Sequence, residues 1–133
     1  MRGLSLVLIG AAVASCSTAP ESRSPRAEDH LQRVLAGKVA LAPVDCLRSY
    51  SSNDMIVIDD GTILFREGGR IYRNDLGGGR CSGLSMGNAL LTRQFGGQGL
   101  CRGDVAQVLS PSNGMIVGSC VLGDFVPYER AAR

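Results

Sequence analysis

Apolar and polar positions change their rhythm several times along this chain of 133 residues, and each rhythm predicts a different element. An apolar-to-small run from Leu4 to Ala14 comes first. It is too short to span a bilayer as a helix, which takes about 20 residues. Ser17 to Ala27 reads S-T-A-P-E-S-R-S-P-R-A, with no large apolar residue, and cannot bury enough surface to order itself. It is expected to be a tether that at full extension reaches about 40 Å. Glu28 to Ala36 then sets Leu31, Val34 and Leu35 at helical spacing, with acidic residues in the first turn and Gly37 as the stop. One short amphipathic helix follows from this, with a linker reaching residue 40.

From Leu41 the pattern turns into short apolar runs punctuated by Gly, Asn and Asp, the signature of strands joined by hairpins. Met55-Ile56-Val57-Ile58 and Thr62-Ile63-Leu64-Phe65 flank Asp59-Asp60-Gly61, whose Asp-Gly pair suits the positive φ values of tight hairpin turns. Arg66-Glu67-Gly68-Gly69 turns the chain into Arg70-Ile71-Tyr72-Arg73, where alternation predicts one buried face. Further strands are expected at Ala89 to Phe95, Val105 to Leu109 and Met115 to Leu122, the last two joined by Pro111-Ser112-Asn113-Gly114. The fold expected over residues 41–128 is therefore all-β in the main. It is a small antiparallel β-barrel or sandwich of about six strands behind one short N-terminal helix, with a tail at 129–133.

Charge and cysteine place the first run. Met1-Arg2 is a cationic start, the apolar run follows, and small residues precede Cys16, the order of an export signal. Val13-Ala14-Ser15-Cys16 resembles the lipobox of bacterial lipoprotein signals: an aliphatic residue, two small residues, then Cys. The resemblance implies that residues 1–15 are removed and that Cys16 carries the lipid anchoring the protein to a membrane, facing the periplasm. Ser17, where an Asp would favour the inner membrane, points to the outer membrane.

Cysteine arithmetic leads the same way. Five Cys leave an odd thiol in an oxidising compartment, and lipidation of Cys16 removes it. Cys46, Cys81, Cys101 and Cys120 can then close two disulfides, as small exported domains do. They lie too far apart for the C-x-x-C pairs of a structural zinc site, so no metal is expected. Of three possible connectivities, the preferred one nests Cys81 with Cys101 inside Cys46 with Cys120. The chain-entropy model gives those two bridges about 3 and about 4 kcal/mol, a useful supplement to a small core.

Cys46, the Asp59-Asp60 hairpin, Tyr72, Leu76, Cys81-x-x-Leu84, Cys101-x-x-Asp104, and Cys120 followed by Phe125-x-Pro127 appear in an order that resembles a family of short proteobacterial envelope lipoproteins, a domain of unknown function. The resemblance covers about Asp45 to Tyr128 and implies a disulfide-stapled β domain. It implies no activity.

Several chemical motifs fail on context. Gly83-Leu84-Ser85-Met86-Gly87 matches a nucleophile elbow, but that motif needs an α/β sheet with an acid and then a His downstream. The single His, His30, lies upstream. Arg102-Gly103-Asp104 is expected to be a structural turn, with the Asp104 carboxylate buried and accepting backbone N–H groups. Asp59 and Asp60 could suggest a cation site, yet adjacent strand residues point to opposite faces. The Gly77-Gly78-Gly79 and Gly96-Gly97-Gln98-Gly99 clusters lack phosphate-loop and dinucleotide spacing and read as flexible loops. No cofactor is expected.

Arg66, Arg70, Arg73, Arg80, Arg93 and Arg102 are the main cations of the domain, and on one face they could meet an anionic glycan or lipid headgroup. Without residues 1–15 the chain loses Arg2, leaving 13 basic against 12 acidic side chains. So even a balance does not predict nucleic acid as a partner. The function expected is thus non-enzymatic: binding or structural support in the envelope, with an envelope protein or anionic glycan as partner. The alternative is a small β-barrel lipoprotein inhibitor of a cell-wall hydrolase or protease, presenting Gly96 to Gly99 with Arg93 or Arg102 to a cleft.

Overall fold

Thr62-Ile63-Leu64-Phe65 is buried at every position, and that run organises the molecule. The computed structural model describes residues 22–48, 54–77, 80–94, 97 and 99–133. Cys16 and the leader, Ser17 to Glu21, Gly78, Gly79, Phe95, Gly96 and Gln98 lie outside the described residues. Among those described, one helix, α1 (Pro25–Leu35), is followed by ten short strands. They are β1 (Lys38–Ala40), β2 (Cys46–Leu47), β3 (Met55–Asp59), β4 (Thr62–Glu67), β5 (Arg70–Asp75), β6 (Ala89–Thr92), β7 (Leu100–Cys101), β8 (Val105–Leu109), β9 (Ile116–Val121) and β10 (Phe125–Arg130).

The fold is mainly β, and all its strand pairings are antiparallel. A five-stranded sheet runs β1-β10-β5-β4-β3, a three-stranded sheet β6-β8-β9, and β2 pairs with β7. Successive side chains of a strand point to opposite faces, so β4 serves two cores. Ile63 and Phe65 join Tyr72, Leu84, Leu100, Ala106, Val108, Leu122 and Phe125 in the core shared with the three-stranded sheet. Leu64 faces the other way, against Ala27 and Leu31 of α1, with Ile58 and Ile71. The order of layers is helix, five-stranded sheet, then three-stranded sheet, a sandwich and not a closed barrel.

The expected tether is shorter than its composition suggests. Ser24 caps α1, its hydroxyl accepting the Ala27 N–H at 3.3 Å, and Pro25 takes the first helical position, which needs no N–H donor. Arg23 is tied to Asp59 at 2.9 Å, to Glu28 at 3.0 Å and to the Thr62 hydroxyl. Residues 22–27 therefore belong to the domain, ordered by a cap, an ion pair and the buried Ala27. The expected linker and tail are corrected likewise: Lys38 to Ala40 pairs with Tyr128 to Arg130, closing the sheet edge.

The disulfides also differ from the nested arrangement. Cys46 is bonded to Cys101 and Cys81 to Cys120. Cys46 and Cys101 are direct partners in the β2–β7 ladder, Cα atoms 4.0 Å apart, so strand register decides the first pair. Cys81 and Cys120 are both buried in the shared core, and they join the segment after β5 to β9 with Cα atoms 5.0 Å apart.

Candidate functional site

Where α1 stops at Leu35, the sheet beneath it continues, and the uncovered strip is cationic. Alternation puts Arg66 on the face of Leu64 and Arg130 on the face of Tyr128, the face that α1 covers further along. Lys38 stands directly opposite Arg130 in the β1–β10 ladder. A cleft of about 780 Å³ forms here, with Val34 and Ile71 as apolar lining, Lys38, Arg66, Arg70 and Arg130 as cations, and the Gly68-Gly69 turn at its rim. Glu129 is its one carboxylate and is already bonded to Arg70. Among the described residues, Lys38, Arg66 and Arg130 have no ion-pair partner.

That arrangement carries a cost. Like charges directly opposite in a ladder are destabilising, by the same fraction of a kcal/mol to about 1 kcal/mol that opposite charges contribute. The negative end of α1 can offset about 0.3–1 kcal/mol for a cation near it, a term of the same size as that cost. An incoming anion would relieve the repulsion. Chemically the cleft offers positive charge, two apolar side chains and no free base.

Of the six arginines singled out in the sequence, only Arg66 and Arg70 line this cleft. Arg73 bonds Asp75 at 3.0 Å and Arg80 reaches Asp59 at 3.7 Å, both away from the cleft. Arg102 is held by Asp45 at 3.3 Å and Asp124 at 3.2 Å. Sequence alone hides Lys38 and Arg130, since one falls in the expected linker and the other in the expected tail. Their alternation with Val39 and Glu129 was the available signal.

A second cleft, of about 610 Å³, brings together His30, Asp59, Asp60, Arg80 and Ser85 near the start of α1. Asp59 and Asp60 share it, contrary to the opposite-face expectation, because Asp60 lies in the turn after β3 and is not a strand residue. The Asp60 carboxylate accepts the Ser85 N–H at 2.8 Å and the Gly83 N–H at 3.2 Å, capping the 3-10 turn Leu84–Met86. Burial pushes the Asp60 carboxyl up, but the bonds from the Ser85 hydroxyl and the two amides, with Arg80 nearby, outweigh it and hold the group below the usual carboxylate range. The acid thus touches the serine directly. No hydrogen bond joins His30 to either, so the relay of a Ser-His-acid triad is not assembled.

Asp104 is buried, and its Oδ2 accepts the Cys101 N–H at 2.8 Å. Its own N–H returns to the Cys101 carbonyl at 3.1 Å, closing a turn in which Gly103 takes φ 88°. Arg102-Gly103-Asp104 is this turn. Of the Gly-rich stretch offered as an inhibitory loop, Gly96 and Gln98 are outside the described residues, while Gly99 is pressed against the Leu47 carbonyl and is not loose. Among the described residues no cluster of His, Cys, Asp and Glu could hold a metal ion, and no helix is long and apolar enough to cross a membrane.

No family model matches the chain, and no curated protein or solved structure is significantly similar to it.

Proposed function

We propose that this chain is a lipid-anchored lipoprotein of the cell envelope, attached through Cys16 to the outer membrane and facing the periplasm, and that it works by binding and not by catalysis. Its ligand is an anionic glycan, held in the cleft of Lys38, Arg66, Arg70 and Arg130. The anchor rests on the lipobox and the odd cysteine count.

The observation that carries the binding reading is the Lys38–Arg130 pair, two cations set opposite one another across a ladder, neither with an ion-pair partner among the described residues, the cleft's one carboxylate, Glu129, being bonded to Arg70. A fold gains nothing from such a pair, whereas an anion seated between them gains both charges. Carboxylate or phosphate groups of a glycan suit the guanidinium forks of Arg66 and Arg130, and Val34 and Ile71 offer apolar surface to a sugar ring. Titrating the protein with an oligogalacturonate, a model polyanionic glycan, should shift the amide resonances of Lys38, Arg66, Gly69, Ile71 and Arg130 and leave the glycan uncleaved. Shifts confined to other surfaces, or release of shorter fragments, would overturn the reading.

A further inference from the structure

The end of the domain from which the chain leads back to Cys16 has a surface of its own. Ser22 is the first described residue and lines the cleft bordered by Ser85. Next to Ser85, Met86 is 82% exposed. Val117 sits against Gly83 of the same turn, its Cγ2 3.4 Å from where a Cβ on that glycine would be. Val117 is 47% exposed, and its neighbours Met115 and Ile116 are 62% and 53% exposed. Four large apolar side chains, on this turn and on the start of the strand beside it, thus stand in water, two of them unbranched methionines that adapt to an irregular surface. Arg26, exposed on the first turn of α1 and on the rim of the same cleft, has no carboxylate partner among the described residues.

Chain length narrows what can cover this patch. Six Cα–Cα steps separate Cys16 from Ser22, a reach of about 20 Å at full extension. A lipid on Cys16 therefore holds the α1 N-terminal end of the domain within that distance of the bilayer at all times. The cationic cleft lies past the other end of α1, about 16 Å further along the helix axis. We propose that Met86, Met115, Ile116 and Val117 seat the domain on the bilayer, their side chains entering the interface while Arg26 meets anionic phospholipid headgroups. This rests on the lipid anchor proposed above. A lipid on Cys16 fixes where the chain meets the bilayer without fixing how the domain lies on it, and apolar side chains entering the interface would set that orientation.

The two methionines are native reporters. The lipidated full chain is reconstituted on vesicles of phosphatidylethanolamine and phosphatidylglycerol, and peroxide oxidation of Met86 and Met115 is followed by mass spectrometry against the Cys16→Ala chain in buffer, with half-buried Met55 as internal reference. Oxidation of both should slow by about fivefold or more on vesicles, since the reaction follows exposure, and Met55 should not change. In the Met86→Asp/Ile116→Asp variant, whose altered side chains are exposed and whose melting temperature should match the parent, Met115 should oxidise on vesicles as fast as in buffer. Equal oxidation of parent Met86 and Met115 in both settings, with lipid demonstrably on Cys16, overturns the docking and leaves the anchor standing. Failure of labelled fatty acid to enter the wild-type chain at Cys16 overturns the anchor, and the docking with it.

Discussion

Asp104 and Ser85 look alike in the sequence, each a polar residue inside a suggestive motif, and their surroundings separate them. Asp104 is buried and accepts a backbone N–H next to a disulfide, so Asp104→Ala leaves that donor unpaired at about 1–3 kcal/mol. The Ser85 side chain is exposed, and its loss should cost no more than about 0.5 kcal/mol. Thermal melting of the two variants should therefore show a clear fall for the first and almost none for the second; equal falls would mean that the turn is held by other contacts. Asp60 adds a pH signature. Its folded carboxyl lies below the ordinary range, so its stabilisation is present above the unfolded value of about 4 and is lost as pH falls through the folded one. Asp60→Asn should lower the melting temperature at neutral pH and flatten the acid limb of the profile. An unchanged acid limb would place the titration elsewhere.

At the scale of elements, the strands that proved legible were those with several β-prone residues between turn residues. The β3–β4–β5 meander and β8 fall where alternation put them, while β6 and β9 begin or end a few residues inside their expected spans. The short pieces β1, β2 and β7 carry too few residues for any period to register, and β10 is broken up by Pro127, so their pairing comes from tertiary contact. The Asp59-Asp60-Gly61 turn lies where the Asp-Gly pair predicts it, but positive φ is not what makes it. Neither Asp60 nor Gly61 has positive φ; instead the Asp59 carboxylate accepts the Gly61 N–H at 2.7 Å. The disulfide pattern was illegible because it depends on β2 finding β7, two residues against two. That contact can be tested at Gly99, where φ is +94° and an added Cβ would sit 2.2 Å from the Leu47 carbonyl oxygen. Gly99→Ala should destabilise by more than about 2 kcal/mol, whereas Gly69→Ala, with open space around it, should stay within about 0.5 kcal/mol. Denaturant melts of both decide this, and a neutral Gly99→Ala would show that the β2–β7 segment can move away.

For the whole molecule, α1 sets the geometry of use. The chain leads back towards Cys16 from its N-terminal end and its C-terminal end opens onto the cations, so a domain held to a membrane at the first, as proposed, would present the second outward. The near balance of 13 basic and 12 acidic side chains after residue 15 hides this, because among the described residues most carboxylates sit in ion pairs such as Arg23–Asp59 and Arg102–Asp124 while Lys38, Arg66 and Arg130 have no such partner. Composition cannot show which charges are left over; only the fold sorts them. The most direct measurement is the affinity for an oligogalacturonate, over a series of salt concentrations, of the wild-type chain, of Lys38→Glu/Arg130→Glu, and of Arg93→Glu as a control outside the cleft. Two reversed charges at about 1 kcal/mol each should weaken binding by about 30-fold in the double variant, and wild-type affinity should fall as salt screens the cleft, while the control binds as the wild type does. Equal affinity of the double variant and the wild type, or a loss as large in Arg93→Glu, would contradict the cleft as the binding site.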